Sequence, residues 1–178
     1  MRLYKENGAF RRKLRSKNKM IKVLFVCHGN ICRSPMAEFM FKKMLKDRSL
    51  EDRFEVQSAA TSSEEIWNGI GNPVYPPARD ELASHGIFCQ GKRARQLTPS
   101  DYLHYDFLIC MDNSNIRNAE RILGSDKEHK LSLLLDYCGR RGASISDPWY
   151  SGDFKTTYCD IDKGLNGFLS YLFENGLL

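Results

Sequence analysis

Apolar and polar positions along the chain fall into segments that predict strands separated by helices. Four short apolar runs have the length expected of buried strands. These runs are 21–26 (IKVLFV), 54–60 (FEVQSAA), 106–110 (DFLIC) and 130–135 (KLSLLL). Because parallel strands of one sheet need long crossover connections, the segments between these runs favour a parallel sheet.

The intervening segments repeat apolar residues at spacings of three and four, which is typical of amphipathic helices. In the segment that Pro35 opens, Met36, Phe39, Met40 and Met44 share one helical face. Three further helices are predicted at 78–85, 113–123 and 154–173, and glycine ends the first two. The pattern predicts an α/β fold with a single three-layer domain, in which a four-stranded parallel sheet has helices on both faces.

The positive charge of the chain is concentrated at its beginning. The 178 residues carry a formal net charge of +5, but residues 1–20 hold eight of the 27 basic residues and one of the 22 acidic residues. We interpret 1–20 as a basic tail that is disordered or not native, with Met20 as the true start, and 21–178 as the folded domain. That domain has a net charge of −2 and lacks the ~20-residue apolar run of a membrane span. We therefore expect a cytosolic protein without a nucleic-acid or membrane partner.

Six cysteines and four histidines are spread along the chain without the spacing of a metal site. No CxxC pair occurs, and the chain is neither short nor of secreted character, so neither a zinc site nor a disulfide framework is expected. Most of these cysteines are expected to act as small apolar residues. Those that follow the first predicted strand are an exception.

The first predicted strand and the first predicted helix are joined by the loop CHGNICRS, at 27–34. In parallel α/β sheets, ligands bind beyond the carboxyl ends of the strands. A strand–loop–helix junction directs backbone N–H groups and the positive end of a helix dipole toward one point, which makes a cup for an anion. Gly29 allows close approach of the backbone, and the planar guanidinium of Arg33 can hold two phosphate oxygens.

Cys27 is the first residue of this cup. The thiolate is the nucleophilic form of cysteine, and a helix N-terminus with a nearby guanidinium lowers the pKa of a thiol. A phosphate in the cup would lie in line for attack by the sulfur. The sequence therefore predicts a phosphatase that forms a cysteinyl-phosphate and releases it with water. Since backbone N–H groups and Arg33 compensate the phosphate charge, no metal or other cofactor is expected.

The loop has the spacing Cys-x5-Arg-Ser of the cysteine-dependent phosphatases, and the longer string VLFVCHGNICRSPMAE closely resembles the low-molecular-weight protein tyrosine phosphatases. Further motifs of that family follow in order: SAATS (58–62), GNP (71–73), HGI (85–87), MD (111–112) and DPWY (147–150). The resemblance covers roughly residues 21–174. It implies that Cys27 is the nucleophile, that Arg33 binds phosphate and that the substrate is a phosphotyrosine-containing protein or peptide. Inorganic phosphate and other oxyanions would bind as product or inhibitor.

The resemblance also implies supporting roles around the nucleophile. The residue matching Asn30 organises the loop, and the one matching Ser34 donates a hydrogen bond to the cysteine and helps it leave in the second step. Ser58 and His85 match residues that support the loop through hydrogen bonds.

His28, Gly29, Ile31 and Cys32 are expected to complete the substrate-binding loop. His28 departs from the small or apolar residue usual at its position, and we expect it to face outward. Cys32 matches a residue that forms a reversible disulfide with the nucleophile, which would protect Cys27 from irreversible oxidation.

Expulsion of a tyrosine phenolate requires a proton, because the pKa of tyrosine is near ~10. A carboxylic acid beside the cup can supply it and then accept a proton from the attacking water. The resemblance implies that Asp147 of DPWY has this role. Trp149 and Tyr150 follow the acid and are expected to form an aromatic rim around the substrate. Trp67 is expected to add a further wall from the loop after the second strand, which is longer here than in animal members of the family.

A rival function on the same scaffold is arsenate reduction, which needs a second, closely spaced cysteine pair to relay a disulfide. The remaining cysteines, 89 with 110 and 138 with 159, are separated by twenty-one residues in each case. This spacing does not favour a reductase.

Protein arginine phosphatases and non-catalytic phosphopeptide-binding modules would bind the same kind of ligand. The arginine phosphatases carry threonine where this chain has Ile31, and the bulkier isoleucine favours phosphotyrosine. A non-catalytic binding module would be expected to lack Cys27 or Asp147, and both are present.

Overall fold

The computed structural model describes residues 20–178 and has a parallel sheet of four strands at its centre. In chain order these strands are β1 (Ile21–Cys27), β2 (Phe54–Ala60), β5 (Phe107–Cys110) and β6 (Leu131–Leu133). Between β2 and β5 lies a small antiparallel hairpin of β3 (Ile66–Trp67) and β4 (Ile70–Gly71). The order across the main sheet is β2–β1–β5–β6. Of the basic tail predicted at 1–20, all but Met20 lies outside the described residues.

Six helices accompany the sheet in the described part of the chain. They are α1 (Arg33–Lys46), α2 (Pro76–Ser84), α3 (Pro99–His104), α4 (Asn113–Leu123), α5 (Pro148–Ser151) and α6 (Phe154–Glu174). Two 3-10 turns, Glu51–Arg53 and Leu134–Cys138, add to these. Among the residues described, no helix has both the length and the apolar character needed to cross a membrane.

β1 is buried on both faces because helices cover each side of the sheet. Val23 and Phe25 point into the larger core, which α1, α2 and α6 close. Leu24 and Val26 point into the smaller core, which α3 and α4 close. Alternate side chains of one strand thus serve two cores. The predicted three-layer α/β architecture is confirmed.

The last strand is shorter than the sequence pattern predicted. The apolar run 130–135 continues as a strand only to Leu133, and the chain then turns into the 3-10 turn that packs on α6. Two glycines of α6 make this contact possible. A Cβ atom at Gly164 would lie 2.5 Å from Cγ of Leu134, and one at Gly167 would lie 2.4 Å from the carbonyl oxygen of Tyr137. The apolar run nevertheless extends beyond the strand, because Leu134 in the 3-10 turn also packs in the larger core.

The hairpin of β3 and β4 was not predicted, because its strands are two residues long and show no periodicity. Its turn is Asn68–Gly69, and both residues have positive φ, at 49° and 77°. Asn-Gly between apolar residues is the strongest short-range signal for such a turn. The sequence therefore contained the signal for this turn within the segment that was predicted as the loop after the second strand.

The sheet places the end of β1 between two neighbours at its carboxyl edge. The backbone N–H of Thr61, just after β2, donates to the carbonyl of Cys27 at 2.9 Å. On the other side, the N–H of Met111, just after β5, donates to the carbonyl of Val26 at 3.1 Å. The loop that follows Cys27 therefore starts from a backbone that is held on both sides.

We predict that Phe168→Ala lowers the free energy of unfolding by about 3–5 kcal/mol, because it leaves a large cavity in the main core. The ring of Phe168 is fully buried against Phe41, Phe107 and Tyr137, with centroid distances of 5.6, 5.2 and 4.8 Å. Phe173→Ala, at an exposed position of the same helix, is the matched control and should lower it by less than about 1 kcal/mol. Urea denaturation measures both. Equal losses would contradict the placement of α6.

Candidate active site

The sulfur of Cys27 is buried at the carboxyl end of β1 and faces hydrogen-bond donors from its own loop. The residue is 3% exposed. The backbone N–H of Asn30 donates to the sulfur at 3.3 Å, and Oγ of Ser34 lies 3.0 Å from it. α1 begins at Arg33, so the partial positive charge of its N-terminus also lies close to the sulfur. The sulfur therefore lies at the N-terminal end of α1, within reach of two groups that can donate hydrogen bonds to it.

Asn30 holds the loop in shape through a fully bonded amide. Its backbone is left-handed, with φ of 58°, a conformation that asparagine tolerates better than most residues. The side-chain Nδ2 donates to Oγ of Ser34 and to Oγ of Ser58, both at 2.8 Å. The side-chain oxygen accepts from the backbone N–H of Arg95 at 3.1 Å. The loop is thus joined to β2 and to the segment after α2.

A buried ion pair continues this network away from the loop. Oγ of Ser58 donates to Oε2 of Glu38 at 2.6 Å, and Nζ of Lys92 lies 2.8 Å from the same oxygen. Lys42 contacts Oε1 from the solvent side. Burial by itself would raise the pKa of Glu38, but Lys92 and Lys42 bring it below its usual value. The sequence did not predict this pair. Glu38 lies in α1 and Lys92 lies far from it along the chain, so no local sequence pattern links the two residues.

His85 does not reach the loop, in contrast to what the resemblance implies. It follows the end of α2, where Nε2 lies 3.1 Å from Oε1 of Glu81. Its ring stacks on Tyr158 of α6, with centroids 3.8 Å apart and planes 8° from parallel. α2 thus directs His85 toward α6. Lys92, which His85 does not approach, reaches the loop-supporting network by pairing with Glu38.

Arg33 is a buried cation between two aspartates. Its Nη1 donates to Oδ2 of Asp112 at 2.7 Å and to the carbonyl of Ile145 at 3.0 Å, while Nη2 donates to Oδ2 of Asp147 at 2.6 Å. Burial alone would lower the pKa of Arg33, but Cys27, Asp147 and Asp112 raise it overall. The guanidinium is therefore charged and oriented.

Asp112 was not predicted as a site residue. It is the N-cap of α4, and its Oδ1 accepts from the backbone N–H of Asn115 at 2.7 Å. The available signal was an acidic residue two positions after the third strand of the main sheet, at the same carboxyl edge as Cys27.

Asp147 reaches the same cavity as Cys27, although the two are 120 positions apart in sequence. It caps α5 by accepting from the backbone N–H of Trp149 at 3.1 Å, and its other oxygen binds Arg33. Both Cys27 and Asp147 line a cavity of about 170 Å³. The remaining lining residues are His28, Gly29, Ile31, Cys32, Arg33, Glu64, Glu65, Trp149 and Tyr150. Asn30 and Ser34 lie behind this lining as supports.

The rim of the cavity is aromatic on one side and acidic on the other. The aromatic side consists of Trp149 and Tyr150, both from α5. Trp149 is 55% exposed, and Tyr150 is more exposed. Trp149 packs against Tyr75, with ring centroids 5.0 Å apart. Trp67, which was predicted as a wall, is 79% exposed on the hairpin and is not among the lining residues. It directly precedes the Asn68–Gly69 turn of the hairpin.

Glu64 and Glu65 line the cavity from the segment that was expected to provide Trp67. His28 faces outward at the mouth, as expected, and its Nε2 lies 2.8 Å from Oε2 of Glu64. Gly29 lies against Glu65, since a Cβ atom at Gly29 would approach its Cγ to 3.0 Å. In residues 20–178, no group of three or more His, Cys, Asp or Glu side chains is arranged to hold a metal ion.

Comparisons with known proteins agree with this geometry. The family model of low molecular weight phosphotyrosine protein phosphatases matches residues 22–176. The low molecular weight phosphotyrosine protein phosphatase of Rattus norvegicus is 40% identical over 151 residues, which is 83% of this chain and 92% of the relative. The crystal structure of YfkJ from Bacillus subtilis superposes with a TM-score of 0.82 at 33% identity, covering 89% of this chain and 98% of that one. A Drosophila arginine phosphatase superposes with a TM-score of 0.75 at 32% identity, covering 85% and 97%.

These matches, with the loop and its parallel sheet, define the class: a small α/β cysteine-dependent phosphatase. The chain belongs to the low molecular weight phosphotyrosine protein phosphatase family. The family prediction made from the sequence is confirmed.

The structure predicts that Cys32 is chemically quiet at pH 8. Burial raises the pKa of the Cys32 thiol to about 12, and Cys27 and Asp147 act in the same direction. Almost no Cys32 thiolate is then present at pH 8. We expect iodoacetamide to label it at least ~100-fold more slowly than the exposed Cys159.

Initial labelling rates from peptide mass spectrometry measure the difference, and the urea-unfolded chain, in which both cysteines should react alike, is the control. Similar rates in the folded protein would show that Cys32 is not buried as described.

Proposed function

We propose that this protein is a tyrosine phosphatase that hydrolyses phosphotyrosine in proteins or peptides through a cysteinyl-phosphate. The observation that carries the proposal is the shared cavity. Cys27, Arg33 and Asp147 line it together, and Arg33 is bonded to Asp147. A nucleophile, an anion-binding cation and a proton donor are the three groups that the reaction needs.

In the first proposed step, the backbone N–H groups of the loop and Arg33 hold the phosphate while the sulfur of Cys27 attacks phosphorus. The bond between phosphorus and the tyrosine oxygen breaks, and Asp147 gives its proton to that oxygen. The substrate dianion would compete with Asp147 for Nη2 of Arg33, the donor that Asp147 now binds.

In the second proposed step, water attacks the phosphorus of the cysteinyl-phosphate, and Asp147, now a carboxylate, accepts the proton of that water. The sulfur–phosphorus bond breaks, inorganic phosphate is released and the thiolate returns. Oγ of Ser34, 3.0 Å from the sulfur, stabilises the departing thiolate by donating to it. Phosphate and other oxyanions are expected to inhibit by occupying the same loop.

The aromatic rim and Ile31 support phosphotyrosine as the substrate. Trp149 and Tyr150 rise beside the cavity, where the ring of a bound phosphotyrosine would pass between the loop and solvent. Ile31 is buried in the lining and brings an apolar side chain rather than a hydroxyl to the leaving group. Because a Drosophila arginine phosphatase has a similar structure, phosphoarginine is the substrate against which this preference is tested.

A cytosolic site of action and redox control of the nucleophile are part of the proposal. The six cysteines form no disulfide in the structure, which suits a reducing compartment. Cys32 lines the same cavity as Cys27, so a disulfide between the two would block the loop reversibly. No nucleic-acid or membrane partner is proposed.

Leaving-group dependence tests the proposed roles. We expect Asp147→Ala to lower kcat for a phosphotyrosine peptide by about 10²–10⁴-fold, because the phenolate then leaves without a proton. The loss should be much smaller for p-nitrophenyl phosphate, whose leaving group is more acidic. Steady-state kinetics with both substrates, and with phosphoarginine and arsenate plus thioredoxin as competing chemistries, measure the effect.

Two variants serve as controls for this experiment. Cys27→Ser should remove turnover of every substrate but keep oxyanion binding, whereas Arg33→Ala should lose both. Equal slowing of both substrates by Asp147→Ala would remove Asp147 from the acid role. Faster turnover of phosphoarginine than of phosphotyrosine would overturn the proposed substrate.

The two tryptophans give a further prediction about substrate binding. Trp149→Ala should raise KM for a phosphotyrosine peptide by about 3–10-fold, because it removes an aromatic contact at the rim. Trp67→Ala removes an exposed tryptophan outside the cavity and should change KM by less than about twofold. A larger effect of Trp67→Ala would show that the hairpin folds over the bound substrate.

A further inference from the structure

Tyr75 packs against the aromatic rim of the cavity without lining the cavity itself. Its ring centroid lies 5.0 Å from that of Trp149, and the two ring planes are inclined by 52°. The same ring lies 6.0 Å from that of Phe154, the first residue of α6. Among the residues that the structure describes, Tyr75 is the only aromatic residue whose ring packs on Trp149. The proposed chemical steps make no use of this side chain.

The segment that carries Trp149 has little to hold the indole in one orientation. α5 is four residues long and ends at Gly152, where the chain turns with a φ of 70°. Asp147 accepts from the backbone N–H of Trp149, which fixes the backbone but not the direction of the side chain. A helix of one turn is not stable by itself in water. Side-chain packing must therefore decide where the indole points.

Tyr75 has a fixed position that does not depend on Trp149. Its backbone N–H donates to the carbonyl of Ile31 at 2.9 Å, and its own carbonyl accepts from the N–H of Arg79 at 3.0 Å. Tyr75 is the N-cap of α2, and its partly buried side chain packs against the larger core. Its ring can therefore limit the orientations that are open to Trp149.

We propose that Tyr75 is a positioning residue that orients the indole of Trp149, the wall against which the ring of a bound phosphotyrosine packs. Aromatic rings attract each other at particular distances and tilts, so the orientation of this wall affects the affinity for an aromatic substrate. A wall that is oriented before binding also loses less conformational freedom when the substrate arrives. The inference rests on the proposed function, because it gives Trp149 a role toward an aromatic substrate.

The effect of Tyr75 should fall on binding of the substrate ring and not on the chemical steps. Inorganic phosphate would contact the loop and Arg33, to which the ring of Tyr75 adds nothing. The side chain of Asp147 is held by Arg33 rather than by Tyr75. Loss of the ring should therefore raise KM for a phosphotyrosine peptide and leave kcat and the inhibition constant of inorganic phosphate nearly unchanged.

Steady-state kinetics with a phosphotyrosine peptide test this separation. We expect Tyr75→Ala to raise KM by about 3–6-fold, the effect of losing one aromatic pair. Both kcat and the inhibition constant of phosphate should change by less than about twofold. Tyr75→Phe keeps the ring and should retain the wild-type KM.

Tyr158→Ala is the matched control. Tyr158 is also a partly buried tyrosine that packs against the larger core, but its ring stacks on His85 and does not contact Trp149. Its removal should change KM by less than about twofold.

A double variant tests whether Tyr75 acts through Trp149. Once Trp149→Ala has removed the indole, Tyr75→Ala has nothing left to position. The double variant should therefore have a KM within about twofold of that of Trp149→Ala alone, so that the two losses do not add.

Fluorescence reports the orientation of the indole without a substrate. The chain has two tryptophans, so Trp67→Phe leaves Trp149 as the single emitter. In this background, Tyr75→Ala should increase the amplitude of the fast component of the time-resolved anisotropy, because the indole then rotates through a wider angle on the nanosecond timescale. Tyr158→Ala should leave this amplitude unchanged.

The proposal is overturned if Tyr75→Ala leaves either KM or the anisotropy of Trp149 unchanged. It is also overturned if Tyr75→Phe raises KM as far as Tyr75→Ala does, or if the losses add in the double variant. Failure of the proposed function gives a different result. The wild-type protein would then not hydrolyse phosphotyrosine, whereas the anisotropy of Trp149 would still respond to Tyr75→Ala.

Discussion

The proposed reaction depends on the hydrogen bonds and positive charge that the protein, instead of water, offers to one buried sulfur. An anion taken out of water is costly unless hydrogen bonds and opposite charge replace the lost hydration. Here a backbone N–H, the hydroxyl of Ser34 and the guanidinium of Arg33 surround Cys27. The loop that supplies them includes a left-handed Asn30, and such a backbone persists only when the surroundings hold it. Three hydrogen bonds to its amide do so.

The parallel sheet explains why groups far apart in sequence can serve that sulfur. β1 ends between β2 and β5, so whatever follows or ends these neighbours arrives at the same edge. β2 brings Ser58 to the amide of Asn30, and the end of β5 leads to Asp112. The order of the strands thus decides which residues meet at this edge of the sheet. The chemistry of their side chains then decides which ligand and which reaction the edge can support.

The sequence predicted the parts of the site that are local or continuous. The strand runs, the loop from Cys27 to Ser34 and the three-layer arrangement follow from periodicity and from a contiguous motif. It did not predict the pairing of Glu38 with Lys92, because periodicity distinguishes core from surface but not which buried polar groups meet. His85 and Trp67 were misplaced for a related reason. Both lie next to a glycine turn, and the direction of a turn decides which way its neighbours point.

The contacts of Arg33 would let one buried cation serve both phosphate binding and the placement of the acid in the proposed reaction. Its Nη1 is held by Asp112 and by the carbonyl of Ile145, neither of which needs to move during the proposed reaction. These hydrogen bonds at Nη1 fix the plane of the guanidinium and direct Nη2 toward Asp147. A planar guanidinium can exchange the hydrogen-bond partner of one nitrogen while the other nitrogen keeps its own partners. In the proposed reaction a phosphate that binds Nη2 would replace its hydrogen bond to Asp147, so that phosphate binding and the position of the proposed acid would be linked through a single side chain.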